Sequence, residues 1–505
     1  MRTLSGERSL FSNFFSRVQR YNGLFIAAAW VGILLVASLL RTDQYGIDEN
    51  AAKSLLITWT VWERVTTPIV TLGPPDLRAL IYIPLGAYWP GSMLAAKVFS
   101  ALLTFLGIFI LYRHIAATLS DEVALLASGL LLIAPLSLLE INQLGAGPHL
   151  LLAFSVGIWA HRRYLEGKRQ LGGWYFLHMF LAIYAISLHP AGLAYPIAFA
   201  WEWWRNSTDK RQQKQFFLGL GVVTLLTLLI RFGWPGIAWL QNPIDALSTM
   251  WVARLPDAIE PMWSGFGLLS LLLAVVVIIG AWPTIVKELW GRLLFTATIL
   301  GIGAADTGWA FMVQILIIYL GLTLLLRVSE RSGGQSFAKQ RGFVLAAIFI
   351  LALVFMIGDK NYREANLREA RSPQDQILYT LALELADTEE RINIASQWPA
   401  RTLLATKQPA FPLPPKNTPD VGQALTHVNY VVFDPFLPAN QPIRDAIANV
   451  SGIFETSMIE DRAVLVKVRR PQTSTPQPPA AAEKPEQQKP EQPALPPSPP
   501  APPPS

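Results

Sequence analysis

Apolar runs of near membrane-crossing length recur along most of this chain, and no other feature restricts its fold so strongly. The run from Gly23 to Leu40 carries no charge. At about 1.5 Å rise per residue it comes close to crossing a hydrocarbon core of roughly 30 Å. Further runs follow near 92–112, 122–140, 148–165, 174–188, 191–204, 216–232, 264–286, 292–305, 309–327 and 342–358, each bounded by charges, Pro or Gly. Together they predict a polytopic α-helical membrane protein with about eleven transmembrane helices. Composition agrees: 52% of the 505 residues are hydrophobic, 15% are charged, and the mean hydropathy is +0.35. A soluble globular chain carries more charge than that.

The net charge of +6 raises the question of a nucleic-acid partner, which the position of the basic residues answers. They sit in short loops between apolar runs, on alternate sides: Arg17 and Arg20 before the first run, Arg113 after the second, Arg162 and Arg163 after the fourth, Lys210 and Arg211 after the sixth. The opposite short loops, "INQLGAGP", "LHPA" and "ADTG", carry none. Because Lys and Arg favour the cytoplasmic face, this pattern predicts a cytoplasmic N-terminal segment at 1–22 and no nucleic acid among the partners. It also predicts an outer loop at 41–91 and an outer location for everything after about residue 359. The first run lacks a small-residue cleavage pattern after it and reads as an uncleaved anchor.

Past the membrane-type region at 23–358 the texture changes. A helical pattern at 374–388 and the strand-like "RINIAS", "VNYVVFD", "IFETSMI" and "AVLVKV" predict a small extracytoplasmic α/β domain over 359–470. From 471 to 505 the chain is dominated by Pro, Ala, Glu, Gln and Lys, too poor in apolar groups to offset its ordering entropy, and reads as a disordered tail.

The chain has no Cys, so thiol nucleophiles, Cys metal sites and disulfides are excluded. No phosphate-binding glycine loop, GxSxG or HExxH occurs either. The strongest remaining chemistry is the pair Asp48-Glu49, just beyond the first run. A carboxylate there can act as general base toward a hydroxyl, or ligate a hard divalent cation such as Mg or Mn; an acidic pair in that position can equally be solvated or cap a helix. In 49–63, Ala52, Leu55, Leu56, Trp59 and Trp62 recur at three- and four-residue steps, predicting an amphipathic helix at the membrane surface. A second such element, "ALIYIPLGAYW", follows the turn "GPPD". These elements either cushion the loop on the bilayer or wall a cavity for Asp48. Arg64 and Arg78 are the cations of this loop, able to hold a lipid phosphate or simply to anchor at headgroups. His189, in "AISLHPAGLAYP", sits at a tight outer turn, where it can serve the turn or bond a phosphate or sugar oxygen. Trp234, Trp239, Trp251 and Trp263 mark a further outer loop, either an interfacial belt or a lid.

The order of these features resembles the GT-C membrane glycosyltransferases of the protein O-mannosyltransferase and aminoarabinose transferase type. The resemblance rests on Asp48-Glu49 followed by "NAAK", and on "GPPDLRALIYIPLGAYWPGSMLAAK", where Lys97 replaces the family's usual Arg. It rests also on "LHPAGLAYP" and on the outer C-terminal domain. It implies transfer of a sugar from a polyprenyl-phosphate donor to an acceptor hydroxyl of a protein, lipid or glycan at the extracytoplasmic face of a bacterial inner membrane. Asp48 would take the base role and Glu49 would orient the acceptor or share a metal. His189, Arg64, Arg78 and His149 would contact donor phosphate or sugar. The chain departs from many relatives at "EINQLGAGPHLLL", where Gly147, Pro148 and His149 stand in place of a second acid, with His149 or Gln143 as substitutes. "DTGWAFMVQ" also lacks a usual Arg-Tyr pair. Two other classes compete. A secondary transporter needs substrate groups near mid-membrane, broken helices and often internal repeats, whereas the runs are nearly free of acids and bases and show no repeat between halves; a non-catalytic scaffold would need no Asp48.

Overall fold

The computed structural model describes residues 46–63, 76–118, 121–166, 172–206, 210–232, 275–302, 307–331, 373–415, 418, 420–425, 427–435, 440–449, 454–459 and 463–468. The expected crossings at 23–40 and 342–358, Arg64, the tryptophans at 234–263 and the Pro-rich tail lie outside those residues.

Two helices open the described chain, α1 (Glu49–Glu63) and α2 (Arg78–Tyr88). The predicted apolar stripe of α1 is real, but Ala52, Leu55 and Trp59 are buried in a protein core with Tyr82 and Leu85 of α2 rather than laid on a bilayer. α2 keeps the two-faced character: Arg78, Tyr82 and Leu85 face inward, while Leu80, Ile83, Tyr88 and Trp89 are exposed.

The bundle follows: α3 (Met93–Thr118), α4 (Asp121–Ile133), α5 (Pro135–Gln143), α6 (Gly147–Glu166), α7 (Gly172–Leu188), α8 (Ala194–Asn206), α9 (Lys210–Phe232), α10 (Trp282–Lys287), α11 (Leu289–Gly301) and α12 (Thr307–Arg331). Among the described residues, α3 and the stretch Thr307–Leu324 of α12 are long and apolar enough to cross a membrane alone. The run expected to cross at 122–140 is instead a broken pair, α4 and α5, bent by 50°. Proline explains the break: Pro135 has no N–H to continue the helix and drives Ala134 to an extended ψ of 131°. The Ser137 hydroxyl donates to the carbonyl of Leu131, one of those left over at the break, at 2.6 Å. α7 and α8 form the expected tight hairpin through a 3-10 turn at Pro190–Leu193. A Cβ at Gly192 would lie 1.9 Å from the Ala185 carbonyl oxygen, so only glycine allows that turn to close on α7. α3 and α6 pack equally closely, with the Ser155 hydroxyl donating to the Gly107 carbonyl at 3.0 Å. Exposed Leu218, Leu225, Leu226 and Ile230 on α9 give the bundle an apolar outer surface.

The last part carries a mixed sheet. Its elements are α13 (Pro373–Glu384), β1 (Ile394–Ser396), α14 (Pro399–Thr406), β2 (Ala410–Pro412), α15 (Val421–Leu425), β3 (Tyr430–Phe433), α16 (Gln441–Asn449), β4 (Phe454–Ile459) and β5 (Ala463–Val468). The strand order is β2-β1-β3-β5-β4, with β1 parallel to β2 and β3, and β5 antiparallel to β3 and β4. Period-two alternation sorts the faces. Tyr430, Val432 and Leu465 pack under α13 and α14, whereas Val431, Phe433, Val464 and Val466 pack under α15 and α16. All four predicted strand segments are present; α14, β2, α15 and α16 had no clear periodic signal.

Candidate active site

Asp48 stands immediately before α1, and the position has two consequences. Its Oδ2 accepts the Ala51 N–H at 3.1 Å, capping the helix, and also accepts Nη2 of Arg78 at 2.7 Å. Its backbone N–H donates to the Gln143 carbonyl at 2.8 Å, tying it to the end of α5. Oδ1 has no partner among the described residues, and the side chain is 37% exposed. One oxygen of this carboxylate therefore caps the helix and pairs with Arg78, while the other is left to the cavity side.

Arg78 is what aims it. The guanidinium is 1% exposed. Nε donates to Asp76 Oδ2 at 2.8 Å, Nη1 to the Leu144 carbonyl at 2.8 Å and Nη2 to Asp48. Asp76 is itself held by the Ser54 hydroxyl and the Arg78 N–H, both at 3.0 Å. Burial works against the charge on Arg78, but Asp76 and Asp48 together outweigh it and hold the guanidinium more firmly protonated than usual. Read from the sequence as able to hold a lipid phosphate or to anchor at headgroups, this cation gives three of its side-chain bonds to protein acceptors, two of them carboxylates.

These groups open onto a cavity of about 430 Å³ that also takes in Glu49, Glu140, Gln143, His189 and, from the C-terminal part, Asp375 and Arg401. That volume lies within the roughly 300–1,000 Å³ of small-molecule sites. Asp48, Glu49, Arg78 and His189, chosen from distant stretches of sequence, thus meet at one hollow. His189 caps the 3-10 turn, its Nδ1 accepting the Ala191 N–H at 3.0 Å, and an accepting Nδ1 leaves Nε2 as the nitrogen that bears the proton. Gln143 contributes its carbonyl to Asp48 and its side-chain oxygen to the Thr307 hydroxyl at 3.0 Å.

His149 does not line this cavity. It is fully buried on α6, its Nε2 3.2 Å from the Tyr82 hydroxyl and its Nδ1 2.6 Å from the Tyr184 hydroxyl, so its contacts bridge α2 and α7. Glu140, which the sequence reading passed over, is the second bundle carboxylate at the cavity. It is wholly buried, with Oε2 accepting the Gly147 N–H at 2.8 Å. A Cβ at Gly145 or Gly147 would approach its Oε2 to 2.2 or 2.7 Å. The glycines of "EINQLGAGP" are the signal: two missing side chains make room for one carboxylate.

Glu49 turns the other way from Asp48. Its Oε1 accepts the Ala400 N–H at 2.9 Å and its Oε2 the Arg401 N–H at 3.0 Å, both at the start of α14. Burial pushes its carboxyl up to about 7, against these two hydrogen bonds and the charges of Lys53 and Arg401. A divalent cation shared by Asp48 and Glu49 does not fit this arrangement: the two carboxylates are aimed at different partners, each already bonded to donors. Among the described residues, no three His, Asp or Glu side chains converge as a metal site.

Bent apolar helices, the α1–α2 pair packed on α14 and a C-terminal mixed sheet whose helices reach the same hollow make up a membrane fold of the GT-C type. The solved structure that shows it is ArnT from Cupriavidus metallidurans in the apo state, matched with a TM-score of 0.51 over 88% of this chain and 99% of that one, at 13% identity. ArnT from the same organism bound to undecaprenyl phosphate matches with a TM-score of 0.49 over 89% and 99%, at 12% identity. No protein-family model matches the sequence, and no curated protein matches it.

Proposed function

We propose that this protein is a membrane glycosyltransferase that moves a sugar from a polyprenyl-phosphate donor to an acceptor hydroxyl at the extracytoplasmic face. The observation that carries the reading is Asp48, one oxygen fixed by Arg78 and the other turned toward a cavity shared with His189. The sequence resemblance and the fold likeness to ArnT support the same class.

In this reaction the acceptor oxygen attacks the anomeric carbon as the bond from that carbon to the phosphate oxygen breaks. The phosphate leaves with the bonding pair, as polyprenyl phosphate. The hydroxyl proton passes to Asp48 Oδ1, and attack opposite the leaving group inverts the anomeric centre. Arg78 is a positioning residue here: it limits the rotation of the carboxylate and supplies a fixed cationic partner. His189, which lines the same cavity, is a donor that would meet developing negative charge on a phosphate or sugar oxygen.

Asp48→Asn keeps size and the capping oxygen but cannot accept the proton. It is expected to abolish incorporation of lipid-linked sugar in membranes while the protein still inserts at normal abundance. Transfer that survives this change removes Asp48 from the base role.

A further inference from the structure

Helix α14 begins without a cap of its own. Its N-cap residue is Trp398, which makes no side-chain cap bond, and its first residue is Pro399, which has no N–H to offer. The orphan donors that remain at such an end are the N–H groups of the second and third helical residues, Ala400 and Arg401. Both donate to the carboxylate of Glu49, which lies 351 and 352 positions away in the chain. The contact is built on both sides, because Ala51, Leu55 and Trp59 of α1 share one buried cluster with Ala400, Leu403 and Leu404 of α14.

We infer that Glu49 is a positioning residue, a helix cap supplied across the fold, which holds the C-terminal part against the Asp48 loop and so completes the cavity. The consequence follows from which groups α14 and α13 bring. Trp398, Arg401, Gln374 and Asp375 are the cavity lining contributed by the C-terminal part, with the Arg401 guanidinium 5.9 Å from the centre of the Trp398 ring and paired to Asp375. An aromatic face beside a paired cation is the chemistry that suits a sugar ring carrying polar substituents. Adjacent carboxylates thus divide the work, Asp48 facing the reactants and Glu49 holding the wall. The functional side of this inference rests on the transferase reading; the clamp itself does not.

The absence of native cysteine makes a direct test clean. Gln374→Cys puts a lone thiol on the half-buried wall, and Arg444→Cys puts one on the exposed surface of α16 as a control. Labelling by a membrane-impermeant maleimide is followed in detergent-solubilised full-length protein, with Glu49 intact and with the added change Glu49→Gln or Glu49→Ala. Loss of two hydrogen bonds to the start of α14 predicts labelling of the 374 thiol about tenfold faster with Glu49→Ala. Glu49→Gln keeps one acceptor oxygen and is expected to give partial rescue, and the 444 thiol should react equally in all three backgrounds. Equal rates at 374 with Glu49 intact and after Glu49→Ala overturn the clamp, as does a rise at both thiols, which would report general unfolding. The readout is thiol chemistry, so it stands apart from whether Asp48→Asn abolishes transfer.

Discussion

Adjacent carboxylates at 48 and 49 experience different environments because a helix start turns consecutive side chains in different directions. Asp48 keeps one oxygen open to the cavity, while Glu49 is pressed into the seam with α14. The raised Glu49 carboxyl has a thermodynamic sign. Held in the seam it binds a proton more tightly than when released, about 7 against 4.5. The seam is therefore favoured fully below about pH 4.5, loses that advantage as pH rises toward 7, and is level above, a span of at most about 3 kcal/mol. Lys53 and Arg401 are the charges that bear on it, and Asp375 stands behind Arg401 as its ion-pair partner. Melting temperatures of the solubilised protein between pH 5 and 8 should fall with pH for the native chain and stay flatter for Glu49→Gln. Identical slopes would show that another group titrates. The acidic pair was legible from the sequence; the division between its members was not, since the partners of Glu49 lie 351 and 352 positions away.

At the scale of elements, the turn between α5 and α6 decides where Glu140 sits. Leu144 adopts φ 55°, ending α5, and the chain passes through Gly145 and Gly147 over the buried carboxylate. Gly145→Ala would push a methyl group into Glu140 and is expected to cost about 1–3 kcal/mol of stability, seen as a lower melting temperature. Combined with Glu140→Ala, the loss should be smaller than the sum of the two single changes, because the colliding group is gone. Strict additivity would mean that the glycine serves the backbone alone. The long apolar helices and the alternating strands declared themselves by period and length. Pro135 announced a break only in hindsight, because a proline inside an apolar run is compatible with either a kink or a stop.

For the molecule as a whole, the cluster joining α1, α2 and α14 makes the C-terminal sheet part of the site rather than an appendage. Leu404, 1% exposed, sits in that cluster with Leu55, Tyr82 and Met93. Leu404→Ala should cost about 2–5 kcal/mol. It should also release residues 373–468 to protease at temperatures where the native chain resists, as judged by fragment size on gels. Unchanged protease resistance would argue that sheet and bundle hold together by other contacts.

Apolar run length, the alternation of strand residues and the location of charges are local quantities, so the chain alone determined a helical membrane bundle followed by an α/β part, and pointed to Asp48, Glu49, Arg78 and His189. Which oxygen each carboxylate exposes, that Arg78 serves Asp48, that His149 bridges two tyrosines, and that Glu140 and Arg401 reach the same hollow depend on contacts between segments tens to hundreds of residues apart. Those contacts follow from packing the elements against one another, and only the tertiary structure decided them.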